Sequence, residues 1–289
     1  MLAITLVSPD PAALAEAAAA VRAVLTVSSE ALLGDGALDL LADGPPVETH
    51  QAVKAAVGDR PVDFAVQPVA NRRKRLLIAD MDSTIINVEC LDELADFAGV
   101  KDKVSEITER AMRGELAFEG ALRERVGMLT GLPVDALQAC YDDRVKLNPG
   151  ARTLVRTMAE NGARCALVSG GFTFFTSRVA QAAGFHLNRA NTLIEADGKL
   201  TGTVGDPILG KEAKLAALRE ETAALGLTPA DALAVGDGAN DLAMIEVAGL
   251  GVAYRAKPIV AAQAHAKVDH ADLTALLYFQ GYTQAEFVS

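Results

Sequence analysis

Three short apolar runs constrain this chain more than any other feature. Leu76–Asp80, Ala163–Ser169 and Ala232–Asp237 are each hydrophobic almost throughout and each ends abruptly in Asp, Ser or Gly. Apolar runs without alternation are strands buried on both faces, and helical segments alternating with them predict a parallel sheet covered on both sides. Open sheets of this kind bind ligands at the carboxyl ends of their strands. The polar ends of the three runs therefore mark where the chemistry should gather.

The rest of the chain sorts around this frame. Leu2–Val7, Val24–Leu33, Ala37–Leu41 and Val62–Val69 read as strands, and Pro11–Arg22 and Pro46–Val57 as helices, with a Gly34-Asp35-Gly36 turn between the second and third strands. Residues 1–70 thus follow the β-α-β-β-α-β, or ferredoxin-like, plan, and their pattern resembles the small amino-acid-sensing ACT domain. A packing or dimerisation module without a ligand fits equally well. Asn71-Arg72-Arg73-Lys74-Arg75, the densest positive run, reads as a solvated linker at the junction. From Val88 to Leu147 the pattern is helical and charged, too long for a crossover, and predicts a helical cap inserted over the strand ends at about residues 88–147. Asn191–Thr203, with Asp197-Gly198 between apolar flanks, reads as a β-hairpin. The fold class expected is α/β: a Rossmann-like parallel sheet with helices on both faces, an inserted cap, and the small N-terminal unit ahead of residues 71–289.

Composition narrows the partners. With 38 acidic against 27 basic residues, the net charge of −11 argues against nucleic acid. The 51% hydrophobic content supplies ample core. Cys90, Cys140 and Cys165 are an odd number at wide spacing, which fits a reducing compartment better than a disulfide framework, and the four histidines show no zinc spacing. No basic-then-apolar leader opens the chain and no apolar run is long enough to span a bilayer, so the expectation is a cytoplasmic protein without membrane contact.

Four motifs carry chemistry. Asp80-Met81-Asp82-Ser83-Thr84 follows the first run, and its two acids at a buried strand end repel unless a cation or proton intervenes. A capping role for Asp82 would explain one acid and leave the other without a reason. Val168-Ser169-Gly170-Gly171 lets backbone N–H groups and a hydroxyl converge on an anion, although the same residues make an ordinary strand-to-helix turn. In Gly236-Asp237-Gly238-Ala239-Asn240-Asp241, two more acids reach the same edge. Mg²⁺ asks for oxygen ligands that Asp80, Asp237 and a backbone carbonyl would supply, and the spacing is not that of an EF-hand. Lys214, on a helical stretch, would neutralise a phosphoryl group and an attacking carboxylate; alone it would read as a surface lysine.

The order of these motifs resembles the haloacid-dehalogenase superfamily of phosphotransferases. More narrowly, Asp80–Glu89 (DMDSTIINVE), Phe118–Val126 (FEGALRERV), Val168–Phe172 (VSGGF) and Val235–Leu242 (VGDGANDL) resemble the phosphoserine phosphatases, from about Leu76 to the C-terminus. The resemblance implies Asp80 as nucleophile and Asp82 as general acid, then base. It implies Mg²⁺ held by the Asp80 side chain, the Asp82 main-chain carbonyl and Asp237, with Asp241 in support. Ser169, the Gly170 N–H and Lys214 would hold the phosphoryl oxygens and Asn240 would orient the substrate. Arg125 would receive the substrate carboxylate, Glu89 its α-ammonium, and Phe118 would be the apolar wall beside it. The implied activity is Mg²⁺-dependent hydrolysis of O-phospho-L-serine, the last step of serine biosynthesis. Two alternatives stay open: another small phosphate such as phosphohomoserine, or an amino-acid-sensing regulatory protein with a vestigial site. A homodimer through residues 1–70 is also left open.

Overall fold

The computed structural model describes residues 1–112 and 116–289. Residues 113–115, inside the expected cap, lie outside the described residues. Strand β1 (Leu2–Val7) leads to helix α1 (Pro11–Val24), then β2 (Val27–Gly34), β3 (Ala37–Ala42), α2 (Pro46–Val57) and β4 (Asp63–Pro68). Helix α1 begins where it does because the Asp10 carboxylate accepts the N–H groups of Ala12 and Ala13 and Pro11 fixes the first helical residue. The four strands pair antiparallel in the order β2-β3-β1-β4. Ile4, Leu6, Leu38 and Leu40 pack against Leu14, Val21 and Val53 of the two helices.

The second part opens with β5 (Leu76–Ala79) and passes into helices α3 (Cys90–Phe97), α4 (Lys101–Met112), α5 (Phe118–Gly127) and α6 (Asp135–Arg144). It returns through α7 (Ala151–Glu160), β6 (Arg164–Phe172), α8 (Thr173–Ala183) and β7 (Leu187–Asn191). The hairpin β8 (Leu193–Ala196) and β9 (Lys199–Val204) follows, then α9 (Lys211–Ala224), β10 (Ala232–Gly236), α10 (Leu242–Val247) and β11 (Leu250–Tyr254). Helix α11 (Pro258–Ala261), β12 (Ala266–Val268) and α12 (Ala275–Phe279) follow, with a short 3-10 turn at Gln284–Glu286. Strands β12-β11-β10-β5-β6-β7 lie parallel, in that order. Strand β5 is buried on both faces, with Leu76 and Ile78 turned toward α9 and α10, and Leu77 and Ala79 toward α7 and α8. The fold is α/β, as the apolar runs required.

Helices α3–α6 are inserted between β5 and α7, and the hairpin is fastened to the loop between α5 and α6 by backbone bonds from Gly131 N to Leu200 O and from Val134 N to Gly198 O, 2.8 and 3.0 Å. Among the described residues no helix is long and apolar enough to cross a membrane.

Two departures from expectation concern the junction. The N-terminal strands do not form a separate sheet: β4 pairs antiparallel with β12, Phe64 opposite Lys267, so ten strands make one sheet. The basic run at 71–75 is solvated only in part: Asn71, Arg73 and Arg75 are exposed, while Arg72 and Lys74 turn inward. Lys74 is buried, its ammonium donating to the carbonyls of Asn71 and Ala230 at 2.7 and 2.9 Å. Arg72 is enclosed against Asp39 and Thr5 of the N-terminal strands and the carbonyl of Phe279. The reason is that a junction spanned by a continuous sheet leaves carbonyls and a carboxylate facing inward, and these need donors.

Candidate active site

Strand β5 ends at Asp80, whose N–H donates to the Val235 carbonyl of neighbouring β10 at 3.0 Å. The backbone then makes one wide turn, Met81–Ile85, which departs from helical geometry at Asp82 (φ −63°, ψ 137°) and Ser83 (φ 56°, ψ −2°). This turn sends the Asp80 and Asp82 carboxylates to different partners at the strand end. The Asn148 amide, on the segment returning from the cap, donates to the carbonyls of Thr84 and Ile86 and holds the turn's exit in place.

Lys214, only 2% exposed, brings two of the motifs together: its ammonium lies 2.7 Å from Asp80 Oδ1 and 2.5 Å from Asp241 Oδ1. Asp241 is fully buried, and its Oδ2 accepts the N–H groups of Asp237 and Gly238 at 3.1 and 3.0 Å. Glycine is required at 236, since a Cβ there would fall on the Asp241 carboxylate. Thr84 donates to Asp237 Oδ1 at 3.3 Å. Burial works against the Lys214 ammonium, yet Asp241 and Asp80 hold it above the ordinary lysine value. Burial and the Asp241 charge likewise raise the Asp80 carboxyl well above its ordinary value, against the pull of Lys214. Burial, Asp241 and Glu89 push the Asp237 carboxyl up to about 6.

Asp82 stands on the other side of the turn. Its Oδ1 accepts the Cys90 N–H at 2.9 Å, at the first residue of α3, and its Oδ2 accepts the Ser169 hydroxyl at 3.2 Å. Burial and the Glu89 carboxylate push its carboxyl up to about 7. Ser169 in turn accepts the Gly171 N–H at 2.9 Å, so the loop after β6 closes against Asp82.

The cap residues fall around this centre. The Phe118 ring lies 3.3 Å from where a Gly170 Cβ would stand and 3.5 Å from that of Gly210, covering both glycines. Glu89 accepts the Ser83 hydroxyl at 2.6 Å. Arg125 is half-buried on α5, with Nε donating to the Ala121 carbonyl and Nη1 to Thr108 Oγ1. Burial pushes its guanidinium down, opposed by the nearby Asp92 and Glu89 carboxylates. Asn240 sits on the short turn after β10 with its side-chain oxygen folded into the space a Gly238 Cβ would fill, turned back on its own loop.

Two positioning groups have no sequence signal of their own. Asn191, 2% exposed, ties the Gly170 carbonyl to the segment before α9 through bonds to Gly170 O and Leu209. Asn148 acts as described above. Asn is too common on loops for a single chain to mark these two.

The centre fits a hard divalent cation. Oxygens of Asp80, Asp237 and Asp241 lie within 4.8 Å of one another. One ammonium faces these three acids, and two of the three carboxyls are raised by what surrounds them. A second positive charge is what that set lacks, and oxygen donors are what Mg²⁺ selects.

Comparison with known proteins gives the same frame. The family model of haloacid dehalogenase-like hydrolases matches residues 77–246. A phosphoserine phosphatase of Polaromonas sp. is 47% identical over 208 residues, covering 70% of this chain and 88% of that one. Another, of Archaeoglobus fulgidus, is 45% identical over 217 residues, covering 74% of this chain. This chain spans 63% of the length of that relative, just under two thirds. A solved structure described as a phospho-aspartyl intermediate analogue of phosphoserine phosphatase superimposes with a TM-score of 0.67 at 38% identity, covering 72% of this chain and 99% of that one. The chain belongs to the haloacid dehalogenase-like hydrolase family, in the branch formed by its phosphoserine phosphatase relatives.

Proposed function

We propose that this protein hydrolyses O-phospho-L-serine to L-serine and phosphate through an aspartyl phosphate on Asp80, with Mg²⁺, as the last step of serine biosynthesis. The observation that carries the reading is the pairing of two unlike carboxyls across one turn. Burial raises both carboxyls, and their partners differ: Asp80 is ion-paired to a buried lysine, which pulls toward its ionised form, whereas Asp82 is bonded to a hydroxyl and an amide and is raised to about 7 by burial and Glu89. That difference in partners suits Asp80 to attack and Asp82 to carry a proton.

In this reading Asp80 attacks phosphorus in line while Asp82 gives its proton to the departing seryl oxygen, a poor leaving group as an alkoxide. Asp82 then takes a proton from the water that cleaves the acyl phosphate. Lys214, the Ser169 hydroxyl and the Gly170 N–H balance charge on the phosphoryl oxygens, and Asn240 orients the substrate. Mg²⁺, held by Asp80, Asp237 and the Asp82 carbonyl with Asp241 in support, would supply the charge that lets two anions meet. Arg125 and Glu89 receive opposite ends of the zwitterion, and Phe118 closes the apolar side. The division into residues 1–70 and 71–289, with the cap at about 88–147, belongs to the same reading.

The test is to quench the enzyme during turnover of phosphoserine with Mg²⁺, reduce with borodeuteride and weigh the peptides. A deuterated homoserine in place of Asp80 is the expected product. Phosphate release with Asp80 left unmodified would overturn the covalent route, and no phosphate release would overturn the substrate.

A further inference from the structure

We infer that Ser83 is a specificity-determining positioning residue, which holds Glu89 ready for the substrate ammonium and keeps it from collapsing onto Arg125. This rests on the reading of Glu89 and Arg125 as the two ends of a zwitterion site.

The backbone supplies the first argument. Ser83 has φ 56° and ψ −2°, in the left-handed region that glycine enters freely and L residues seldom adopt. A serine in such a place needs a use for its side chain. That use is visible: its hydroxyl donates to Glu89 Oε1 at 2.6 Å, a short bond to a charged acceptor. Two other bonds already fasten the turn to the start of α3, from Ser83 N to Val88 O and from Cys90 N to Asp82 Oδ1. The hydroxyl is therefore not needed to close the loop.

Electrostatics supplies the second. Glu89 is the residue before α3, yet its side chain makes no capping bond to the helix. It is exposed, and Arg125 is close enough for the two to interact. A carboxylate and a guanidinium that are to bind opposite ends of one ligand will satisfy each other unless each is held. Arg125 is held by the Ala121 carbonyl and Thr108. Ser83 does the same for Glu89.

The test compares phosphoserine with 3-phosphooxypropionate, the same ester without the ammonium, in the full-length enzyme with Mg²⁺. Ser83→Ala is expected to raise KM for phosphoserine about three- to tenfold with a smaller change in kcat, and to leave the deamino ester nearly unaffected. Ser83→Gly, which relieves the backbone, should lose the same discrimination. In a Glu89→Ala background, Ser83→Ala should add nothing. If Ser83→Ala alters both esters equally, or adds its full effect without Glu89, the inference is wrong. If Glu89→Ala itself leaves the preference for phosphoserine intact, the underlying assignment of Glu89 fails instead.

Discussion

This molecule buries charge in two places, and the two are built on opposite accounts. At the junction with the N-terminal strands, every nitrogen of one guanidinium has a partner. Arg72 Nε donates to Phe279 O at 2.8 Å, Nη1 to Asp39 Oδ2 at 2.5 Å, and Nη2 to Thr5 Oγ1 and Asp39 Oδ1, both at 2.6 Å. Thr5 completes the set by donating to Asp39 at 2.8 Å. At the carboxyl ends of β5 and β10, one lysine faces Asp80, Asp237 and Asp241, and the first two carboxyls are raised. The saturated cluster is architecture. The unbalanced one stores unfavourable charge that a proton or a cation relieves, and that surplus is what distinguishes a site from a buried salt bridge.

The sharpest way to break this contrast is at Arg72. Arg72→Met would leave Asp39 and several carbonyls buried without their donor, and should cost about 3–5 kcal/mol in urea unfolding. Turnover per folded molecule should change little, because no group of the β5–β10 cluster touches Arg72. A loss below about 1 kcal/mol would mean that the junction behaves as an exposed contact.

The two regions also differ in how legible they are in the sequence. The acids and Ser169 follow apolar runs, so their place at one sheet edge is legible from the residues themselves, whereas Lys214 reads as a surface lysine until the family resemblance assigns it. The N-terminal element order is legible too, since Pro11, Gly34 and Pro46 punctuate clear periodicities. The junction is not. Its partner strand β12 is three residues long, and a cluster of arginines and lysines looks the same in a linker as in a pocket. Arg72 finds its partners more than thirty residues before it in sequence, at Asp39, and some two hundred after it, at Phe279, which no local pattern encodes. The left-handed Ser83 is equally hidden: residues of a motif do not announce their φ.

A smaller effect probes the other side of the comparison. Asp237→Asn removes one surplus carboxylate, so in EDTA at pH 8 the variant should be more stable than the parent, on the order of 1 kcal/mol after allowance for its partial exposure. It should also lose the stabilisation that MgCl₂ gives the parent. A variant less stable than the parent in EDTA would show that Asp237 is needed by the fold itself.

The least of the expected effects is the most specific to a surplus of charge. The Asp237 carboxyl is pushed up to about 6 in the folded protein from an ordinary value of 3.8, burial being the first cause. A raised acid favours the folded state while it is protonated, so its contribution is complete below the unfolded value and is lost as pH rises through about 6. In EDTA, stability should therefore decline across that window relative to Asp237→Asn. With MgCl₂ the sign reverses, because protons and metal compete for the same oxygens. The Tm increment given by Mg²⁺ should grow from pH 5 to 7 and should be flat in the variant. A junction of matched charges has no such reversal to show, so an increment independent of pH in the parent would place Asp237 among the architectural acids and leave the surplus at Asp80 alone.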